Sequence, residues 1–502
     1  MRTRLLPVIC LILNATLANA AESASSNAVV PADWQALHDR WQSAMKELSV
    51  PGMSVVVVKG GEVVLLDALG VCDPQGKQRV TPRSPFYLAS VTKSFTALGI
   101  AILVDEGKVR LDEPVKTYLP QFTLADADVA EKITVRDLLA HRRGLDSSPI
   151  TISEAYLGNI DDERYYRLMA LVEPGERFRY SNLHYTLAGR IIAAVTGQKW
   201  QDFLAERVFA PLGMVDATCY ASQLYANPFV AWPIVEKKGE LQRAPLVKSD
   251  NVMHAAGGMG ASAADLGNWL AYQITGKTPD GKQLISPKLL EEVHAKQAID
   301  DSAGGLVPEL KRDGYSLGWF TGSYHGHPML EHGGGYIGTS TVVSFLPEDH
   351  VGVAVLVNES SPFTMVVLTD VYNELLGVEG KDLLPQMREL AQRRRERQAK
   401  TIELTWVAPS AANGLDHPPS AYTGVYYCEL FGKAEIALAG DQLVFQLGEL
   451  PLRWHASGPN KFRVEIPGGD VAQGGFDVAE DGAIRGLYVL TPDGKAAFER
   501  QK

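Results

Sequence analysis

Along residues 86–109, "FYLASVTKSFTALGIAILVDEGKV", the apolar residues Leu88, Val91, Phe95, Leu98, Ile100 and Leu103 recur at helical spacing. They predict a helix with an apolar face and leave Lys93 conspicuous within it, because an ammonium is costly to bury. Upstream, "DWQALHDRWQSAMKEL" (33–48) has the period of an amphipathic helix. "GMSVVVVKGGEVVLLDALG" (52–70) instead sets two strand-like runs on either side of Gly60-Gly61, a hairpin pattern. From about residue 90 to 300 the pattern is mostly helical, broken by turns such as Pro174-Gly175. Strand periodicity returns in "TSTVVSFLPEDHVGVAVLVN" (339–358), a hairpin about Pro347-Glu348-Asp349, with a helix following over roughly 361–377. Strands from both ends therefore flank a helical middle. The predicted class is α/β (α+β): an antiparallel sheet flanked by helices, with an inserted all-helical lobe and a cleft between lobe and sheet.

Residues 379–418 change character. "MRELAQRRRERQAK" is charged and helix-prone, and "APSAANGLDHPPS" is rich in small residues and proline, so the segment reads as a helical, Pro-rich linker. Residues 419–502 show short alternating runs broken by Gly, Pro, Asn and Asp, the pattern of a small all-β domain, sandwich or barrel. Within it, Tyr422, Tyr426 and Tyr427 are expected in the packing rather than at a ligand.

Composition adds a compartment. The chain has 502 residues, 46% hydrophobic and 21% charged, an ordinary globular balance. Its first twenty, "MRTRLLPVICLILNATLANA", place Arg2 and Arg4 before an apolar run too short to span a bilayer, and end in a small-x-small site. We read a signal peptide over 1–20, cut after Ala20, and a periplasmic or secreted protein. Cys10 follows Ile9 rather than a small residue, which speaks against a lipoprotein. Losing two arginines and no acid takes the net charge from −11 to −13, a surface that repels nucleic acid and anionic lipid. Cys72, Cys219 and Cys428 remain, an odd number with no zinc spacing, expected as buried thiols; whether Cys72 pairs with Cys219 stays open.

Ser90 and Lys93, three apart at the start of a helix, share one face. There the backbone N–H groups are unpaired, and a buried lysine loses proton affinity and can receive a serine proton. The pattern alone is common: Ser43-Ala44-Met45-Lys46 repeats it and reads as a surface pair. Tyr180-Ser181-Asn182 follows a Pro-Gly turn and opens another amphipathic helix. A tyrosine near a lysine ammonium is expected to ionise more easily and act as a general base, while an asparagine amide holds a substrate carbonyl. Tyr225-Ala226-Asn227 repeats that pattern before Pro228, in an expected loop with no helix to fix it. In "MLEHGGGYIGTSTVVSF" (329–345), His332 precedes three glycines, which admit a substrate backbone against the sheet edge. A metal reading of His325, His327 and His332 is weaker, since two of them flank a glycine in an expected hairpin turn. No Gly-x-Ser-x-Gly elbow occurs, against an α/β-hydrolase.

The ordered set Ser-x-x-Lys, Tyr-x-Asn and His-Gly-Gly resembles the serine β-lactamase and penicillin-binding protein superfamily. It is most similar to the branch of class C β-lactamases, D-alanyl-D-alanine carboxypeptidases, D-aminopeptidases and related esterases. The intervals, 90 residues from Ser90 to Tyr180 and 152 from Tyr180 to His332, are similar too. So are "ITVRDLLAHRRGL", "VFAPLGM", "AAGGMGASAADLGNWL" and "YSLGW". The resemblance covers residues 31–378, and the C-terminal domain resembles the lipocalin-like β-domain of some members. It implies Ser90 as nucleophile, Lys93 and Tyr180 sharing the proton work, and Asn182, His332, Gly333 and Gly334 binding substrate. The oxyanion hole would be the N–H groups of Ser90 and Gly335, and no metal or organic cofactor is implied. Two departures stand out. His332-Gly333-Gly334 replaces Lys-Thr-Gly, exchanging a fixed cation for a histidine expected to be partly charged near neutral pH and removing a hydroxyl. His141-Arg142-Arg143-Gly144-Leu145 replaces His-Thr-Ser-Gly-Leu, with its arginines expected in solvent.

The reading is a secreted, metal-independent serine hydrolase acting through a Ser90 acyl-enzyme on a small-molecule or peptide substrate. Amide or peptide bonds are favoured, with D-amino-acid or peptidoglycan-type peptides first. A carboxylesterase or weak β-lactamase is the alternative within enzymes. A non-turnover penicillin- or peptide-binding sensor is the alternative of another class, which predicts decay of a catalytic set that is intact here. A third possibility gives the C-terminal domain a gating role.

Overall fold

The computed structural model describes residues 30–237, 239–301, 307–402, 415–440, 442–465, 471–491 and 494–501. The expected signal peptide lies outside the described residues. Helix α1 (Gln35–Leu48) leads into strands β1 (Gly52–Lys59) and β2 (Glu62–Gly70), joined where Gly60 (φ +62°) and Gly61 (φ +90°) supply the left-handed turn. A short strand β3 (Phe86–Tyr87) precedes helix α2 (Thr92–Asp105), and helix α3 (Asn182–Thr196) lies in the helical lobe. A ribbon of β4 (Ile234–Lys237) and β5 (Glu240–Arg243), then β6 (Gly260–Ala261) and helix α4 (Ala263–Thr275), return the chain to the sheet.

Strands β7 (Ala298–Ile299), β8 (Leu310–Tyr315), β9 (Phe320–Tyr324), β10 (His327–Tyr336), β11 (Thr339–Leu346) and β12 (Val351–Val357) complete the sheet. Its order is β2-β1-β12-β11-β10-β9-β8-β7, antiparallel throughout. The N-terminal hairpin therefore pairs with the last strand of the domain, which closes the expected architecture.

The valine run of β1 is buried on both faces, and its period of two divides the core. Val56 and Val58 join Leu266, Trp269 and Leu270 of α4, while Val55 and Val57 join Trp41 and Met45 of α1. Helix α5 (Phe363–Leu376) covers that second face with Phe363, Val367 and Val371. Helix α2 departs from the one-faced pattern: it is buried from Thr92 to Leu103 on every side, because the lobe closes over it from α3 while Phe95 stacks at 3.8 Å on Trp269.

Helix α6 (Leu384–Ile402) occupies the segment read as a linker. Leu384 and Met387 enter the core beneath α1, and Arg388 pairs with Glu47 of α1 at 2.5 Å. Beyond it the C-terminal strands close into an eight-stranded antiparallel barrel, β13 (Gly424–Cys428) to β20 (Gly494–Arg500). Phe445, Trp454, Phe462 and Phe476 fill its interior with Tyr422 and Tyr426, whereas Tyr427 points outward to Glu429. The barrel docks on the lobe through its loops: Asn159 donates to Phe431 O at 2.9 Å, the Glu449 N–H donates to Leu157 O at 2.7 Å, and Arg167 pairs with Glu429 at 2.8 Å. Among the described residues, no helix is long and apolar enough to cross a membrane.

Candidate active site

Ser90 owes its place to two anchors. Leu88 N–H donates to Met259 O at 2.8 Å as β3 pairs with β6, and Thr341 of β11 donates its hydroxyl to Leu88 O at 2.9 Å. A 3-10 turn, Ala89–Val91, then feeds α2, with Ala89 held at φ +48°. That is a left-handed conformation L-residues adopt at a cost, maintained here by the surrounding contacts. From Ser84 to Leu103 every residue is buried except Ser90, so its hydroxyl is the one that faces the cleft.

Beneath it, the fully buried Lys93 Nζ lies 3.2 Å from Ser90 Oγ, 2.8 Å from Asn182 Oδ1 and 2.7 Å from Ala256 O. Its other neighbours are the rings of Tyr180 (4.7 Å) and Tyr185 (5.8 Å). No carboxylate figures among these contacts, so desolvation pushes the lysine well below its ordinary value. Tyr180 and Asn182 arrive together because Ser181 caps α3, its hydroxyl accepting from Leu183 N–H at 3.2 Å. Tyr180 stacks on Phe320 at 5.6 Å. The expected acidification of this tyrosine by a lysine ammonium is corrected: burial raises the phenol, the Ser90 hydroxyl only partly offsets this, and burial lowers the lysine. Burial thus pushes both groups toward their neutral forms, the phenol up and the ammonium down.

His332 is also buried. Its Nδ1 lies 2.8 Å from Gly333 O and must donate there, so its Nε2, 3.1 Å from Tyr315 Oη, accepts. Burial brings its pKa down to about 3, which corrects the expectation of partial charge near neutral pH. The strand it lies on is not the edge of the sheet, but beyond Glu331 it pairs with β11 alone, so residues 332–336 offer a local edge. A Cβ at Gly334 would meet Leu88 O at 2.0 Å and Thr341 Oγ1 at 2.4 Å, whereas none meets an atom within 4 Å at Gly335. Glycine at 334 is thus what lets β10 close on the turn carrying Ser90, and Gly335 faces open space.

The other candidates separate cleanly. Ser43 and Lys46 are exposed on α1. Tyr225 sits on a short helix, Ala221–Ala226, rather than in a loop, and stacks on Trp232 at 4.8 Å. His327 pairs with Asp349 at 2.9 Å, away from the contacts of His332, and among the described residues no group of three His, Cys, Asp or Glu side chains converges as a metal set would. Arg142 lies in solvent beside Asp137, and the three cysteines are free and buried.

Sequence reasoning missed the layer behind the motifs. His141, at φ +53°, packs 4.7 Å from Tyr180, and its Nδ1 meets His184 Nδ1 at 2.7 Å. His184 Nε2–H donates to Arg143 O at 2.5 Å, and the Ser181 N–H points at His141 Nδ1 from 3.4 Å. Burial depresses both, His184 to about 4. Tyr185 donates to Leu139 O at 2.6 Å and lays its ring 5.8 Å from Lys93 Nζ. Of these, only the His141 segment carried a sequence signal.

This sheet-and-lobe fold, with a serine, a lysine and a tyrosine converging at their junction, defines a serine hydrolase architecture. The beta-lactamase family profile matches residues 37–376, and the chain belongs to that family. Penicillin-binding protein 4 of Amycolatopsis lactamdurans is 30% identical over 357 residues, 69% of this chain and 89% of that protein. Protein flp of Staphylococcus aureus (strain MW2) is 28% identical over 329 residues, 62% of this chain; the chain spans 61% of that relative's length. Among solved structures, the D-amino acid amidase from Ochrobactrum anthropi SV3 superposes with a TM-score of 0.54 at 24% identity, covering 72% of this chain and 99% of that one, a likeness of fold. The barrel lies outside the family match.

Proposed function

We propose that the protein hydrolyses amide or peptide bonds through an acyl-enzyme on Ser90. The observation that carries this reading is the one cleft-facing hydroxyl in a buried run, 3.2 Å from a lysine whose proton affinity burial lowers. Lys93 Nζ takes the Ser90 proton as Oγ bonds the substrate carbonyl carbon. The backbone N–H groups of Ser90 and Gly335 hold the oxyanion, each worth about 3 kcal/mol in the transition state. The C–N bond then breaks as the proton passes from Lys93 through the Tyr180 phenol to the leaving nitrogen. Water, activated by the same pair, releases the acyl group. Asn182 aligns Lys93 and the substrate amide, and Gly333 and Gly334 carry its backbone.

A neutral His332 provides no fixed cation for a β-lactam carboxylate, which favours amides and esters over penicillin turnover. D-amino-acid or peptidoglycan-type peptides are the substrates we favour, reached in a periplasmic or secreted setting. Intact mass after incubation with a fluorophosphonate, a D-alanyl peptide, a p-nitrophenyl ester and penicillin tests the reading. A stable phosphonyl adduct and a transient acyl adduct, both absent in Ser90→Ala, are expected. A folded protein that gains no adduct would sink it and leave a binding sensor.

A further inference from the structure

A second lysine is buried outside every motif, against Tyr87, three residues before Ser90. Lys248 is 4% exposed, and its Nζ lies 4.2 Å from the ring centroid of Tyr336, 5.2 Å from that of Tyr156 and 5.9 Å from that of Tyr87. It donates to Ala155 O, and among the described residues no carboxylate faces it: Glu449, the acid that grips its loop, is spent on Ser249 and Asn251. Buried ammonium groups are ordinarily paired, and this one has only aromatic faces and a carbonyl. Two further polar atoms at the site, Tyr336 Oη and His254 Nδ1, are buried without a hydrogen-bond partner. Tyr336 follows Gly335, whose side is open, and His254 lies between this cluster and Ala89, next to Ser90. A substrate whose carbonyl sits at Ser90 would run its acyl portion along β10 past Gly335 onto Tyr336.

From this juxtaposition we infer that Lys248, with Tyr336 and His254, forms a pocket for a carboxylate on the acyl side of the substrate. It is a specificity determinant for acidic acyl groups, and it rests on the acyl-enzyme reading above. The cation missing from the His-Gly-Gly motif is thereby supplied from another loop, at the other end of the same strand. Desolvation lowers Lys248 to about 7, with Tyr87, Tyr156, Tyr225, Tyr336 and His254 facing it and none of them anionic near neutral pH. Binding of a carboxylate then draws a proton onto Nζ, so affinity for acidic ligands falls as pH rises above 7.

The test uses the full chain and two probes alike in length, N-succinyl- and N-butyryl-D-alanine p-nitroanilide. Each is scored by how well it protects Ser90 from fluorophosphonate labelling, which reads binding whether or not the probe turns over. The succinyl probe should protect at roughly tenfold lower concentration or better, as a desolvated charge pair requires. That ratio should fall to about twofold in Lys248→Met and Lys248→Gln, be partly kept in Lys248→Arg, and shrink in the wild type between pH 7 and 9. Equal protection by the two probes, or a ratio indifferent to pH and to the variants, overturns the pocket and leaves Lys248 as a tie to the Ala155 carbonyl. Should the variants misfold, the wild-type ratio and its pH dependence decide alone. Absence of labelling in the wild type would instead refute the acyl-enzyme.

Discussion

Among the described residues neither Lys93 nor Lys248 has an acidic partner, and each therefore resists protonation in the fold but not in the unfolded chain. A lysine whose folded value is depressed binds fewer protons when native, so stability climbs with pH from the folded value toward the ordinary 10.5. For Lys248 that window opens near pH 7. The buried tyrosines, raised above their usual value, do not counter it until the solution passes about pH 10, where unfolded tyrosines begin to ionise. The thermal midpoint of the wild type should thus rise from pH 7 to about 8.5, above which the buried Cys72 and Cys219 thiols, pushed up by desolvation, begin to oppose it; Lys248→Met should lose one lysine's share of that rise, at most about 1.4 kcal/mol per pH unit. Equal slopes in the two proteins would contradict the depressed lysine. For catalysis, Lys93→Met should slow acylation by about 10²–10⁴-fold, the range for a lost general base, in stopped-flow or mass measurements of adduct formation. A depressed Lys93 further requires that the acid limb of the rate profile lie well below the ordinary lysine value of 10.5, which the pH dependence of Ser90 labelling checks.

At the level of elements, the site exists because β10 and the turn before α2 touch backbone to backbone. Gly334 permits that contact, and Gly334→Ala must push β10 off Leu88 or break the Thr341 latch. A cost of about 1–3 kcal/mol follows, as for other overpacked positions, with a larger loss in the rate of Ser90 labelling. Gly335→Ala meets no atom and should leave the melting temperature nearly unchanged. The pair of variants separates close approach from mere flexibility. The elements themselves were legible: the valine runs, the Gly60-Gly61 turn and the helix opening at Tyr180-Ser181-Asn182 are local instructions that the structure follows. Burial of α2 on all sides was not, since a one-faced periodicity cannot report that the lobe closes over the other face.

Across the whole molecule, the barrel docks on the lobe: aromatic side chains pack in its interior, and its loops grip residues 157–167 and 249–251. Removing residues 415–502 would expose Leu157, which packs in the barrel's core, and free the loop that bears Lys248. Amide hydrogen exchange across 151–160 and 246–252 should accelerate in the truncated chain. Unchanged protection there, with unchanged substrate preference, would deny the barrel any part in the site.

What the chain by itself determined was order and local form: three motifs at the right intervals, strands at both ends of a helical middle, and a β-rich tail. These are encoded by neighbours in sequence, where periodicity and caps act within a turn or two. Tertiary structure alone decided the charge states. Whether His332 is an imidazole or imidazolium, and whether Tyr180 is a phenol or phenolate, depends on how much water the lobe excludes and on partners such as Tyr315 and Ala256, contributed from distant segments. Lys248 belongs to the same class. Its significance arises only where Tyr87, Tyr156 and Tyr336 meet, because desolvation is a property of the enclosing surface and no short stretch of sequence contains it.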